Sequence, residues 1–173
     1  MPLNRIAEHR VAAVCILNVN AFRALNQAVR VGKPVSEADR AGRKDLTNVK
    51  MVTVDSEDAK DLDDAVYVKK SSEGFKLIVS IADVSHYVKE KTKLDEEALK
   101  RGNSIYLVDR VIPMLPRKLS NDLCSLNPNE DKLAFSAEID FDHSGKVVKN
   151  DFYKSVIKSK HRMTYSKVNE IIA

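Results

Sequence analysis

The ten residues "DSEDAKDLDD", Asp55 to Asp64, place six acidic side chains around a single lysine in a chain that is otherwise basic. They lie between two apolar runs, "MVTV" and "AVYV". Asp55 closes the first run, and Asp61, Asp63 and Asp64 precede the second. In extended backbone Asp61 and Asp63 share a face, and Asp64 joins them only through a bulge or turn. Two like charges about 4 Å apart at an effective dielectric near 20 repel by roughly 4 kcal/mol. Such a group must protonate, move apart or take up a cation. Oxygen-only ligands select magnesium, manganese or calcium over zinc or copper. The calcium-binding EF-hand pattern fails, because counting from Asp55 the required glycine position is Lys60. Magnesium, held by a few carboxylates and completed by water and substrate phosphate, suits four aspartates best. Two such ions about 3.5–4 Å apart assist phosphodiester cleavage. A solvated acidic turn is the competing reading, and residue types alone leave both open.

Other candidate groups carry weaker signals. Tyr106 in "SIYL" reads as a half-buried strand tyrosine. His86 in "ADVSHYV" reads as structural rather than as a general base. From Lys146 to Lys167 six lysines and Arg162 face one acid, Asp151, a pattern suited to a solvated face or to an RNA backbone. Cys15 and Cys124 are too few for a disulfide framework or a zinc site, and imply a reduced, cytoplasmic setting.

The elements that must position these residues follow from periodicity. A chain of 173 residues, 43% hydrophobic, can bury one core, and a net charge of +4 favours an anionic partner. No apolar run reaches membrane-spanning length, and "VAAVCIL" is too short and poorly flanked for a secretory signal. Ala21–Val31 predicts a helix stopped by "GKP", and Ser36 with Asp39 predicts a capped short helix. Phe75–Ala82 and Leu133–Phe141 alternate with a period of two, as strands do. "SSEG" and "HSGK" read as hairpin turns, "LDEEALKRG" as a glycine-closed helix, and "TYSKVNEIIA" as the opening of a helix. "RVIPMLPRKLSNDLCSLNPNED", with three prolines, reads as an irregular loop. The fold class is α+β: an antiparallel β-sheet with flanking short helices.

"TVDSEDAKDLDDAV", "VSIADVSHYV", "GNSIYL", "IPMLPRKLSNDLCSLNP" and "RMTYSKV" occur in an order and spacing that resemble the RNB catalytic domain of the RNase II / ribonuclease R family, nearest its ribonuclease R branch. The resemblance runs from about Asn26 to the C-terminus, leaving residues 1–19 unassigned and making residues 20–173 the N-terminal half of such a domain. It implies a 3′→5′ exoribonuclease that hydrolyses single-stranded RNA from its 3′ end to 5′-mononucleotides. It implies Mg2+, with Mn2+ as substitute, held by Asp55, Asp61, Asp63 and Asp64, of which Asp63 is the indispensable catalytic position. Tyr106 matches an aromatic that stacks on RNA, and Tyr165 one that lines the site near the terminal ribose. No DNA and no membrane partner is implied. Family members continue beyond the equivalent of Ala173, through arginines at the scissile phosphate and a second aromatic clamp. Two expectations follow: an exoribonuclease in full, or a fragment that is at most a metal-, RNA- or protein-binding module.

Overall fold

A computed structural model describes residues 35–173. The helix expected over Ala21–Val31, the segment 1–19 and Cys15 lie outside the described residues. Helix α1 (Glu37–Arg40) starts from the expected capping box: the Asp39 amide donates to Ser36 Oγ, and Asp39 Oδ2 accepts from the Ser36 amide at 3.0 Å. Strands β1 (Lys44–Leu46), β2 (Val52–Asp55), β3 (Asp64–Ser71) and β4 (Gly74–Ala82) follow. A two-residue turn joins β3 to β4, and Gly74 is required there. Its φ is +141°, and a Cβ would stand 2.0 Å from the carbonyl oxygen of Phe141.

Helices α2 (Val84–Tyr87) and α3 (Lys93–Arg101) come next, α3 ending at Gly102 with φ +72°. The proline-rich stretch is more ordered than its lack of period suggests. It holds β6 (Val111–Ile112), paired with β5 (Ile105–Tyr106), and a π-helical turn, Leu119–Leu123. Long-range bonds rather than local pattern fix it; Lys132 Nζ, for example, donates to the Asp122 carbonyl at 2.7 Å. Strands β7 (Asp131–Phe141), β8 (Val147–Lys158) and β9 (His161–Thr164) and helix α4 (Tyr165–Ile172) complete the chain. Among the described residues no helix is long and apolar enough to cross a membrane.

The large sheet runs β1-β8-β7-β4-β3-β2-β9. Its centre is antiparallel as expected, but each edge pair, β1 with β8 and β2 with β9, is parallel. Only Ser159 and Lys160 separate β8 from β9, although five strand spacings lie between them. A flat sheet would put those strands about 24 Å apart, while three Cα steps reach at most ~11 Å. The sheet therefore coils until its edges approach. Lys160 fastens the closure, its amide donating to the Met51 carbonyl (2.8 Å) and its ammonium to the Thr47 carbonyl (2.7 Å).

Small side chains line the inside of this curve. Ser80, Ser136 and Ser155, on adjacent strands, are fully buried and satisfy one another through 2.7 Å hydrogen bonds. Met51, Leu62, Ile78, Leu119, Leu126 and Ile157 fill the core between this face and the segment from α3 to the π-turn. The larger members of the alternating strands face outward: Val68, Phe75, Ile81, Phe135 and Phe152 are exposed on neighbouring strands.

Glu138 on β7 ties strands together, accepting from Lys44 Nζ of β1 (2.7 Å), Lys76 of β4 and the Tyr153 hydroxyl of β8 (2.6 Å). Lys44 first, then Lys76 and Tyr153, hold its carboxyl down at about 2. An acid lowered by folding stabilises above its unfolded pKa, near 4.3, and loses that contribution as pH falls through the folded value. Glu138→Gln should therefore cost about 1–2 kcal/mol at pH 7. In chemical denaturation the gap from the wild type should shrink between pH 5 and pH 2.

Candidate functional site

The acidic loop links two adjacent strands, so both its ends are fixed by sheet hydrogen bonding. Asp55 is the last residue of β2 and Asp64 the first of β3. Between them Leu62, only 2% exposed, is anchored in the core, while Asp61 and Asp63 on either side of it keep contact with solvent. Buried Ser125 splices this anchor to the segment after the π-turn. Its hydroxyl accepts from the Leu62 amide (3.1 Å) and donates to the Lys60 carbonyl (3.0 Å), and the Leu126 amide donates to the Leu62 carbonyl (2.8 Å). On the other side, Arg162 of β9 donates to the carbonyls of Ser56, Glu57 and Ala59.

Among the described residues, none of the four carboxylates has a hydrogen-bond or ion-pair partner, and the electrostatics follow from that. Burial raises the pKa of Asp55, and the charges of Asp64 and Asp61 raise it further against the pull of Arg162. Desolvation likewise raises Asp63, with Asp61, Asp55 and Asp64 adding to it, although its side chain still meets water. The four thus act on one another as a single charge cluster. Elsewhere the buried carboxylates are paired. Burial pushes Asp83 up, but Ser85 Oγ (2.7 Å) and Arg43 (2.6 Å) outweigh it and hold it low.

A hard dication would relieve the conflict at Asp55–Asp64, and an all-oxygen donor set fits magnesium or manganese. The carboxylates are not gathered into a finished cage. Among the described residues no group of three or more His, Cys, Asp or Glu side chains is arranged to hold a metal ion. The strand pleat accounts for part of this, since Asp55 has the parity of buried Thr53 whereas Asp64 has that of outward Val66 and Val68. Nearby Cys124 contributes no ligand. Burial, and then the Asp63 charge, push its thiol up to about 12.

A cavity of about 770 Å³ opens beside the loop, lined by Asp61, Tyr106, Ser104, Arg117, Asn121 and Arg162 among others. Tyr106 stands 69% exposed on the small β5–β6 ribbon. Tyr165, 61% exposed, opens α4 immediately after Thr164, the register partner of Asp55. The structure thus brings Asp61 and Tyr106 to one cavity and sets Tyr165 beside the end of β2. His86 is structural: its Nε2 lies 3.3 Å from Asp39 and its ring stands edge-on to Tyr87. Much of the basic stretch is also spent on structure, Lys154 pairing with Asp83 (3.7 Å), Lys158 with Asp131 (2.9 Å) and Lys160 with the Thr47 carbonyl. Sequence reading missed Ser125 and Arg162 as loop anchors. Both lie in quoted motifs, but nothing in local pattern shows which carbonyls a side chain will reach.

Residues 43–173 match the RNB domain family. The chain is 50% identical to ribonuclease R of Mycoplasmopsis pulmonis over 146 residues, covering 84% of this chain and 20% of that protein. It is 53% identical to ribonuclease R of Thermotoga maritima over 149 residues, 86% of this chain and 21% of that protein. The chain spans about a fifth of the length of these curated relatives. A solved structure of Mycoplasma genitalium RNase R in complex with ribose-methylated single-stranded RNA superposes with a TM-score of 0.79. It is 44% identical, over 85% of this chain and 23% of that one.

Removing the Ser125 hydroxyl leaves the buried Leu62 amide without its acceptor. Ser125→Ala should lower unfolding free energy by about 1–3 kcal/mol in urea titration. Faster amide exchange at Leu62 should accompany the loss.

Proposed function

This chain belongs to the RNB domain family, and on that footing we propose that Asp55, Asp61, Asp63 and Asp64 form the magnesium-binding part of a 3′→5′ exoribonuclease site. By itself the chain acts as a module that binds divalent metal and single-stranded RNA and hydrolyses RNA feebly. One observation carries this reading: four carboxylates without partners among the described residues repel one another, and one of them, Asp61, lines a cavity that also presents Tyr106. The absence of a finished ligand cage among the described residues is what makes feeble turnover the expectation.

Bound magnesium would supply charge neutralisation at the phosphate and a more acidic water. The chain's own residues do the rest. Asp63, the most crowded by like charge, is the carboxylate we assign as indispensable. Tyr106 offers a ring face to a base, a contact indifferent to sequence. Tyr165, one residue beyond Thr164, the register partner of Asp55, lines the approach of the 3′-terminal ribose. RNA bound by the Mycoplasma genitalium enzyme supports the same ligand class here. A protein-binding role is favoured by a separate observation, the exposed apolar side chains of Ile81, its cross-strand partner Phe135, Phe152 and Val68 on the outer sheet face. We assign that face to the further catalytic-domain sequence that the family resemblance implies.

Magnesium should raise the melting temperature of the wild-type chain and leave an Asp55→Asn/Asp64→Asn variant unmoved; equal shifts in both would remove the metal assignment. Tyr106→Ala should weaken binding of a 3′-tailed single-stranded RNA by roughly 1–3 kcal/mol in a fluorescence titration. With magnesium and that RNA, mononucleotide release should be slow and absent in Asp63→Asn. Robust release by the unmodified chain would refute the module reading.

A further inference from the structure

Arg162 lies opposite Thr53 in the parallel pairing of β9 with β2, and its side chain reaches the loop that leaves β2. One terminal guanidinium nitrogen donates to three carbonyl oxygens, those of Ser56 (3.2 Å), Glu57 (2.6 Å) and Ala59 (2.9 Å). Three carbonyl dipoles aimed at one point repel one another unless a cation stands between them. From Ser56 to Lys60 the loop has no helix or strand of its own to impose that shape. Arg162 makes no ion pair with a carboxylate among the described residues, although its charge lowers the pKa of Asp55 across space. Its hydrogen bonds go to main chain instead.

We propose that Arg162 is the positioning residue of the acidic loop: it sets the spacing of Asp55 from Asp61, and so the metal affinity, without itself contacting RNA phosphate. The ordinary role for an arginine beside an aromatic-lined cavity is a phosphate contact. The nitrogen that reaches the loop is already committed, its two N–H groups shared among three acceptors, which leaves only Nε and the other terminal nitrogen for any further partner. The assignment rests on the reading of the aspartates as metal ligands. It adds that their affinity is held from a neighbouring strand, with Ser125 pinning the far end of the same loop.

The test uses the 173-residue chain with Mn2+ as the probe, and compares wild type, Arg162→Met and Arg162→Lys. In EDTA, Arg162→Met should raise hydrogen exchange over residues 56–61 while β7 and β8 stay protected. Calorimetric Mn2+ affinity should fall about tenfold in Arg162→Met and return to within about threefold in Arg162→Lys, whose ammonium can serve the same carbonyls. The salt dependence of RNA binding in EDTA should not change. A slope smaller by about 0.7, the value of one single-strand phosphate contact, would make Arg162 a phosphate ligand and overturn the assignment. Wild-type uptake of Mn2+ matched by Arg162→Met would overturn it too, leaving the metal reading intact. A wild type that takes up no Mn2+ would overturn the metal reading and this role with it. Should Arg162→Met lose protection throughout the sheet, Arg162→Gln decides on the same readouts, equal Mn2+ uptake again counting against the proposal.

Discussion

The two-residue link between β8 and β9 is the constraint on which the site depends. It carries the chain from one side of a seven-stranded sheet to its far edge, which is achievable only because the sheet coils. Coiling demands small side chains on the inner face, and the row Ser80, Ser136 and Ser155 meets that demand with hydroxyls that hydrogen-bond one another. Once β9 lies parallel to β2, Thr164 stands opposite Asp55, Arg162 reaches the acidic loop, and Tyr165 opens its helix beside the site. Residues more than a hundred positions apart in sequence thus become neighbours through one short turn.

Charge is distributed on the same plan. Carboxylates that join elements, such as Glu138 and Asp83, are surrounded by donors that lower their pKa, that of Glu138 to about 2. Those between β2 and β3 receive no such donors from the described residues, and burial and mutual repulsion raise Asp55 and Asp63 instead. Folding does not benefit from keeping them close, because each approach costs Coulomb energy. Their proximity is enforced by main-chain anchors: Leu62 in the core, Ser125 at one end of the loop and Arg162 at the other. A loop held in an electrostatically unfavourable shape by its surroundings is the condition under which an added dication is bound rather than excluded.

The outer sheet face carries a different consequence of coiling. With Ser80, Ala82, Ala134 and Ser136 of β4 and β7 on the concave side, Phe75, Ile81 and Phe135 of the same strands are left exposed on the convex side. Ile81 and Phe152, 55% and 60% exposed, are large apolar groups on neighbouring parts of one surface, more than scattered surface residues need explain.

Local order was legible in the sequence wherever short-range physics decides it. The Ser36–Asp39 capping box, the turns at "SSEG" and "HSGK", the glycine that ends α3 and the opening of α4 all form as read. The alternation in Phe75–Ala82 and Leu133–Phe141 announced strands correctly, and the acidic spacing with its flanking motifs announced the family. Which side of those strands faces the core was not legible, since Ser80 and Ser136 lie inside and Ile81 and Phe135 outside only because the sheet bends toward its small residues. Nor was the parallel pairing at both edges, the order in the proline-rich stretch, or the reach of Arg162 and Ser125 to the loop. Propensity and periodicity act over a few residues, whereas strand order and side-chain reach are settled by how distant segments share one core. The sequence by itself determined the elements, the acidic cluster and the family; tertiary structure alone decided what holds that cluster in place, because its anchors come from strands and turns far along the chain.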